Sequence, residues 1–173
     1  MLNEHAKLLT LIQQAGEIVG RKKLQKIVYI AKKLDLPFYE KYQFRMYGPY
    51  SEELSVRMEE MRDLGFISEV KEDKSSYHQF RYSLTEKGEE FLTISDFDFP
   101  NPKAILDDLN SKSSRFLELV STMFYFEELT NEEIKEKVFT IKAKQNYTEE
   151  EVEEAFRYID ALRQSKVSES FAK

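Results

Sequence analysis

The sequence has no cysteine. That excludes disulfides, thiolate zinc sites and cysteine nucleophiles, and it fits a reducing compartment without requiring one. Glycine and proline are scarce, at five and four residues, which excludes collagen-like and low-complexity chains. Long apolar runs are missing too. The most apolar stretch, Leu117 to Phe126, falls far short of the roughly 20 residues a membrane-spanning helix needs. Near the N-terminus, Glu4, Lys7, Gln13 and Gln14 interrupt every apolar run, so no signal-peptide core is expected. Positive charge is in deficit: 26 Lys and Arg stand against 32 Asp and Glu, a net charge of −6. Such a balance argues against a polybasic surface that grips phosphate non-specifically. The expectation is a cytoplasmic protein with no membrane partner.

Catalytic constellations are also missing. There is no phosphate-cradling glycine loop, no nucleophile elbow and no His-Glu-x-x-His helix. Only His5 and His78 exist, one near the terminus and one at an expected hairpin tip, and nothing in the sequence brings them together. Carboxylate pairs such as Asp107/Asp108 and Glu127/Glu128 are adjacent in sequence, so they diverge on a helix. No enzyme, no cofactor and no metal site are expected.

What is present is enough for a packed core. The chain has 173 residues, 41% of them hydrophobic and 34% charged. Helical spacing of Ala6, Leu9 and Ile12 predicts a first helix over 3–15, and Gly16 and Gly20 bracket a short break. A second helix is predicted from about Arg21 to Leu34, with Leu24, Ile27, Val28, Ala31 and Leu34 on one face and Pro37 ending it. Residues 42–47 read as a short extended segment before Gly48-Pro49. Ser51 is placed to cap a third helix whose apolar stripe is Leu54, Met58 and Met61, closed by Leu64-Gly65. Phe66–Val70 and Phe80–Leu84 read as strands around a polar tip. Thr85 is placed to cap a short helix through Leu92.

Residues 96–102, rich in aspartate and proline, form the clearest boundary. Asn101 as cap and Pro102 at the first helical position are expected to start an all-helical segment. Thr130-x-x-Glu133 and Thr148-x-x-Glu151 are capping boxes within it. The fold class is therefore mainly α (α+β): a winged-helix-like domain over about 1–97 with a two-stranded wing, then a helical segment over about 101–167. The apolar faces of that segment must be buried, either on the domain or in a homodimer.

Three helices, a hairpin and a further helix is the order of elements in a winged helix. The strings Leu64-Gly65-Phe66-Ile67 and Tyr82-Ser83-Leu84-Thr85-Glu86-Lys87-Gly88 resemble those that flank the wing in many winged-helix regulators. A second resemblance lies in Lys23-Leu24-Gln25-Lys26-Ile27-Val28-Tyr29-Ile30, followed by Tyr47-Gly48-Pro49-Tyr50. This pairing resembles the uncharacterised bacterial YwgA-like proteins and, more distantly, the Panacea domain of SocA-like antitoxins. That resemblance spans about residues 20–65. It implies a regulatory module that binds a protein partner and carries no catalytic residues.

Two surfaces are candidates for contact. Lys22, Lys26, Tyr29 and Lys33 fall within about 60° of arc on the second helix, at about 100° per residue. Arg21, Lys23 and Lys32 add charge, so residues 21–35 hold six basic groups and one acid. Such a stripe can track a phosphate backbone, or it is a solvated helix face. The third helix sets Glu52, Glu59, Glu60 and Asp63 opposite its apolar stripe, flanked only by Arg57 and Arg62. That face lacks donors for reading base edges. The Tyr47-Gly48-Pro49-Tyr50 turn is the second surface, or it is a rigid structural bend. The expected function is a non-enzymatic regulator acting by protein–protein contact, antitoxin- or adaptor-like. The alternative is a DNA-binding transcriptional regulator. Charge geometry separates them: DNA is favoured if Lys22, Lys26 and Lys33 join Arg57 and Arg62 on one surface.

Overall fold

The computed structural model describes residues 2–95 and 99–172, with side chains placed through 165. Its elements run α1 (Asn3–Ala15), β1 (Ile18–Val19), α2 (Arg21–Lys33), β2 (Gln43–Arg45), β3 (Gly48–Tyr50), α3 (Glu52–Asp63), β4 (Ile67–Asp73), β5 (His78–Leu84) and α4 (Glu86–Ile94). Four more helices follow: α5 (Lys103–Ser111), α6 (Ser114–Tyr125), α7 (Asn131–Ile141) and α8 (Glu149–Ala172). A 3-10 turn, Ala143–Gln145, links the last two. The architecture is mainly helical with a small antiparallel sheet component. One sheet has strand order β1-β5-β4, and a separate ribbon pairs β2 with β3.

Local chemistry explains most of the ends. Ser51, Thr85, Ser113 and Thr130 each accept a backbone N–H of the helix they precede. Thr130 and Glu133 complete a capping box, and Thr148 and Glu151 exchange the same two bonds. At the end of α3, Gly65 takes φ +80°, its N–H reaches the Arg62 carbonyl, and the Phe66 N–H reaches Met61. This is a Schellman turn on glycine.

Three expectations are corrected. Helix α2 is not ended by Pro37. It closes earlier in the same type of turn, with Asp35 at φ +64° and the Leu36 N–H bonded to the Ala31 carbonyl. Asn101 does not cap α5: Pro102 occupies the cap position and the helix starts at Lys103. The long hairpin is also longer than its apolar runs suggested. Pairing continues from Ile67↔Leu84 to Asp73↔His78, through residues read as tip.

The segments that flank the β4–β5 hairpin lock together. Thr85 donates its backbone N–H to the Phe66 carbonyl (3.1 Å) and its hydroxyl to the Gly65 carbonyl (2.6 Å). Gly88 lies directly beneath, where an added Cβ would stand 2.2 Å from the Phe66 oxygen. Phe66 stacks on Phe91 of α4, centroids 4.7 Å apart.

One core cluster runs through both the N-terminal and the C-terminal elements. Helix α2 lies at its centre, buried at every position from Leu24 to Ala31. Helices α5 and α6 and strands β1 and β3 pack around it. The apolar face of α8 (Val152, Ala155, Ile159, Leu162) is buried within the chain's own core. The boundary expected at 96–102 falls partly on residues 96–98, outside the described residues. No described helix is long and apolar enough to cross a membrane.

Candidate functional site

A cleft of about 630 Å³ opens between α2, the β2–β3 hairpin, α3 and the β4–β5 strands. Its floor begins with Gln25, which is buried. The Gln25 amide donates to the Ser51 carbonyl (2.9 Å) and to Ser55 Oγ (3.1 Å), and its oxygen accepts the Ser51 N–H (2.9 Å). Tyr50 joins this network through its hydroxyl, 2.8 Å from Ser55 Oγ. Every polar group of the Gln25 side chain is thereby engaged, which fixes the angle between α2 and α3. Leu24, Leu54 and Met58 supply apolar wall, and Tyr82 closes the far side.

Charge gathers on the rim. The Arg21 guanidinium lies 3.6 Å over the Phe80 ring, donates to the Tyr82 hydroxyl (3.2 Å) and approaches Glu69 (3.7 Å). Burial pushes the Tyr82 phenol up to about 12. Lys22 sets its ammonium 3.3 Å over the Tyr47 ring. Arg45, at the hairpin end, pairs with Glu52 at 3.0 Å. Arg62 pairs with Glu69 (3.1 Å) and Asp63 (3.3 Å). A smaller pocket of about 280 Å³ lies on the other side of Lys22 and Tyr47, against Arg115, Glu118 and Tyr147.

Beneath the hairpin is a buried polar cluster. Lys26 donates to the Pro49 carbonyl (3.0 Å) and Lys142 to the Met46 carbonyl (2.8 Å). Glu118 of α6 pairs with Lys142 at 2.9 Å and accepts from Gln145 at 3.2 Å. Desolvation pushes the Lys26 ammonium down to about 8, opposed by Glu118 and reinforced by Lys142 and Lys22. Gly48, at φ +92°, sits where a Cβ would lie 3.4 Å from Thr122 Oγ1 and 3.5 Å from Lys26 Cε. The hairpin is thus clamped from below by two lysines on two of its own carbonyls, Lys26 from α2 and Lys142 from the end of α7, the latter held by Glu118 of α6.

The cleft brings together Arg21, Lys22, Lys26, Arg62, Tyr47, Gly48 and Tyr50 from the residues singled out by sequence. It does not include Lys23, Tyr29, Lys33, Arg57 or Pro49. Lys23 turns away to the Asn110 carbonyl. Tyr29 is buried edge-on to Tyr42, centroids 4.8 Å apart, with its phenol pushed well above the ordinary value. Lys33 pairs with Glu127 at 2.8 Å, and Arg57 pairs with the fully buried Glu40. Pro49 is buried in the ribbon opposite Phe44. Lys26 and Tyr29 are therefore not on a solvated stripe: α6 covers that face of α2. Lys33 and Arg57 thus lie outside the cleft that gathers Arg21, Lys22 and Arg62.

Sequence reasoning missed Gln25, Arg45 and Tyr82 as cleft residues and Glu118 and Lys142 as clamp residues. Gln25 did carry a signal, since it is a polar residue beside the apolar stripe of α2. Lys142 carried none, because its role depends on a hairpin 96 residues away. Among the described residues, no three His, Asp or Glu side chains converge to hold a metal ion. His5 lies against Glu60, and His78 beside Asp73.

Fold and site together define a mainly helical α+β protein with a cation-rimmed cleft over a hydrogen-bonded polar floor. No known family model matches the chain. The chain is 61% identical over 164 residues to the uncharacterized protein YwgA of Bacillus subtilis (strain 168), covering 95% of this chain and 99% of the relative. The protein belongs to the YwgA family.

Proposed function

We propose that this is a non-enzymatic regulatory protein that acts by protein–protein contact, in the manner of an antitoxin or adaptor. Its residues from about 1 to 97 are read as a winged-helix domain. The succession of α1, β1, α2, α3 and the β4–β5 hairpin, with sheet order β1-β5-β4, supports that reading. So does the Panacea-like pairing of the Lys23–Ile30 helix with the Tyr47–Tyr50 turn.

The observation that carries the functional reading is the outer face of α3. Glu52, Val56, Glu59 and Asp63 form one exposed stripe at helical spacing, with Glu60 beside it. In a winged helix this face meets the partner. Phosphate would be repelled there, whereas a basic protein surface with an apolar contact for Val56 would fit. Of the nearby cations, Arg57 turns to the buried Glu40, while Arg45 and Arg62 reach only the two ends of the stripe, Glu52 and Asp63.

The test has two arms. Fluorescence anisotropy with a mixed-sequence DNA duplex is expected to show no binding at low salt. Affinity capture from the bacterial host is expected to retain a protein that Val56→Arg with Asp63→Arg no longer retains. Micromolar DNA binding that weakens steeply with salt would instead favour a transcriptional regulator.

A further inference from the structure

We propose that the cleft between α2, α3 and the β2–β3 hairpin binds an amphipathic anion of small-molecule size: an apolar body carrying a carboxylate, phosphate or sulfonate. This goes beyond the partner-binding reading and does not depend on it.

Three observations converge. The first is shape. A cleft of about 630 Å³ is within the range that takes a drug-sized ligand, and it is the larger of the two described on this face. The second is the lining. Leu24, Leu54, Met58 and Tyr82 back the cleft from the core, and the half-buried Tyr50 with the exposed Met46 and Tyr47 presents apolar surface to the body of a ligand. The Gln25–Ser51–Ser55 network is complete, so this floor is fixed before any ligand arrives.

The third is charge. Five cations line the cleft (Arg21, Lys22, Lys26, Arg45 and Arg62) against the two carboxylates Glu59 and Glu69. This excess sits on a chain whose net charge is −6. Three of the cations remain open to a ligand. Lys22 has no carboxylate partner among the described residues, only the Tyr47 ring. The Arg21 side chain is 58% exposed, and Glu69 stands 3.7 Å away. Arg45 is exposed, and so is its partner Glu52.

The start of α2 adds to the field. Its first turn holds no acidic residue, and Gly20 provides no side-chain cap. Arg21, Lys22 and Lys23 thus stack on the positive end of the helix dipole, an arrangement unfavourable for the empty protein. A bound anion beside Arg21 and Lys22 relieves that repulsion. The exposed tip of the hairpin, Met46 and Tyr47, overhangs the same opening and is positioned to cover the apolar part of a ligand.

The probe is 1-anilinonaphthalene-8-sulfonate, which joins an aromatic body to one negative charge. Titrated against the full-length folded protein, it is expected to bind saturably, one per chain, with enhanced fluorescence. Lys22→Glu with Arg45→Glu is expected to weaken it by at least about tenfold, roughly 1.4 kcal/mol. The uncharged N-phenyl-1-naphthylamine is expected to bind at least about tenfold more weakly to the unmodified protein. Lys71→Glu, on the long hairpin, is expected to change nothing. Circular dichroism of each variant confirms that it is folded. Displacement of the probe by 1-naphthoate assigns the site to a free small molecule. Displacement only by an acidic aromatic peptide such as Glu-Phe-Glu-Phe assigns the same chemistry to a partner's segment. Absence of binding, equal binding of the uncharged analogue, or binding untouched by the double variant overturns the proposal.

Discussion

Gly88 shows how one position decides between two opposing effects. On helix propensity alone, Gly88→Ala in α4 would stabilise the protein by about 1 kcal/mol. The added methyl would stand 2.2 Å from the Phe66 carbonyl oxygen, a backbone atom that cannot swing aside. Moving it would break the Thr85–Phe66 and Thr85–Gly65 bonds and the Phe66–Phe91 stack. Overpacking of this kind costs about 3 kcal/mol, so the steric term wins. The net loss of about 2 kcal/mol is expected to lower Tm by roughly 4–8 °C for a chain of this size, read by thermal unfolding. An unchanged or raised Tm would show that α4 shifts freely on the hairpin.

At the scale of elements, the β2–β3 ribbon is the part least able to stand alone. It has three pairs of residues, with Met46 and Tyr47 exposed at its turn. Two-stranded ribbons of this length are marginal in water. Its position depends on Lys26 and Lys142, which hold the Pro49 and Met46 carbonyls from below. Lys142→Met removes one grip and leaves Glu118 with less compensation in a buried setting, a loss of about 3 kcal/mol. Amide hydrogen exchange is expected to speed up in 43–50 more than in α2. Adding Glu118→Met removes the uncompensated carboxylate, and more than half of the lost stability is expected to return. If the single variant matches the parent in both readouts, the ribbon is held by something other than this clamp.

The same elements show what was legible in the sequence. Helices α1, α2, α3 and α8 were readable because each has an apolar stripe at helical spacing, and Ser51, Thr85, Thr130 and Thr148 marked the starts of α3, α4, α7 and α8. The long hairpin was readable, but its ends were not: pairing of Lys71 to Asp73 with His78 to Phe80 follows from backbone register, which leaves no apolar trace. The cleft was half legible. Arg21, Lys22, Arg62 and the Tyr47–Tyr50 turn were singled out for charge and backbone chemistry. Lys26 and Tyr29 were placed on an outer face because α2 taken alone has only one apolar stripe. Helix α6 covers the other side, and no local pattern in residues 21–34 reveals a lid that comes from residues 114–125.

For the whole molecule, buried titratable groups set how stability varies with pH. Burial holds the Lys26 ammonium at about 8 in the folded chain, below the ordinary lysine value of 10.5. Between pH 8 and 10.5 the unfolded chain binds more protons than the folded one, so stability rises with pH across that window. Integrated over the window, the rise is about 3 kcal/mol. Lys23, also held low by burial, adds in the same direction. Tyrosines act oppositely. Burial raises Tyr82 to about 12 and raises Tyr29, Tyr42, Tyr147 and Tyr158 further. Above pH 10 the unfolded chain loses phenolic protons that the folded chain keeps, so stability falls steeply there. At the acid end, Arg115 and the Thr148 N–H hold the Glu151 carboxyl down at about 2. Its contribution is lost as pH falls from about 4.5 towards 2. Urea unfolding across the pH range is therefore expected to show maximal stability between about pH 9 and 10. Lys26→Met is expected to flatten the rise from pH 8 while leaving the alkaline fall in place. A stability that already declines from pH 8, identically in parent and variant, would mean that Lys26 is not desolvated beneath the hairpin and that the cleft wall it forms is open to water.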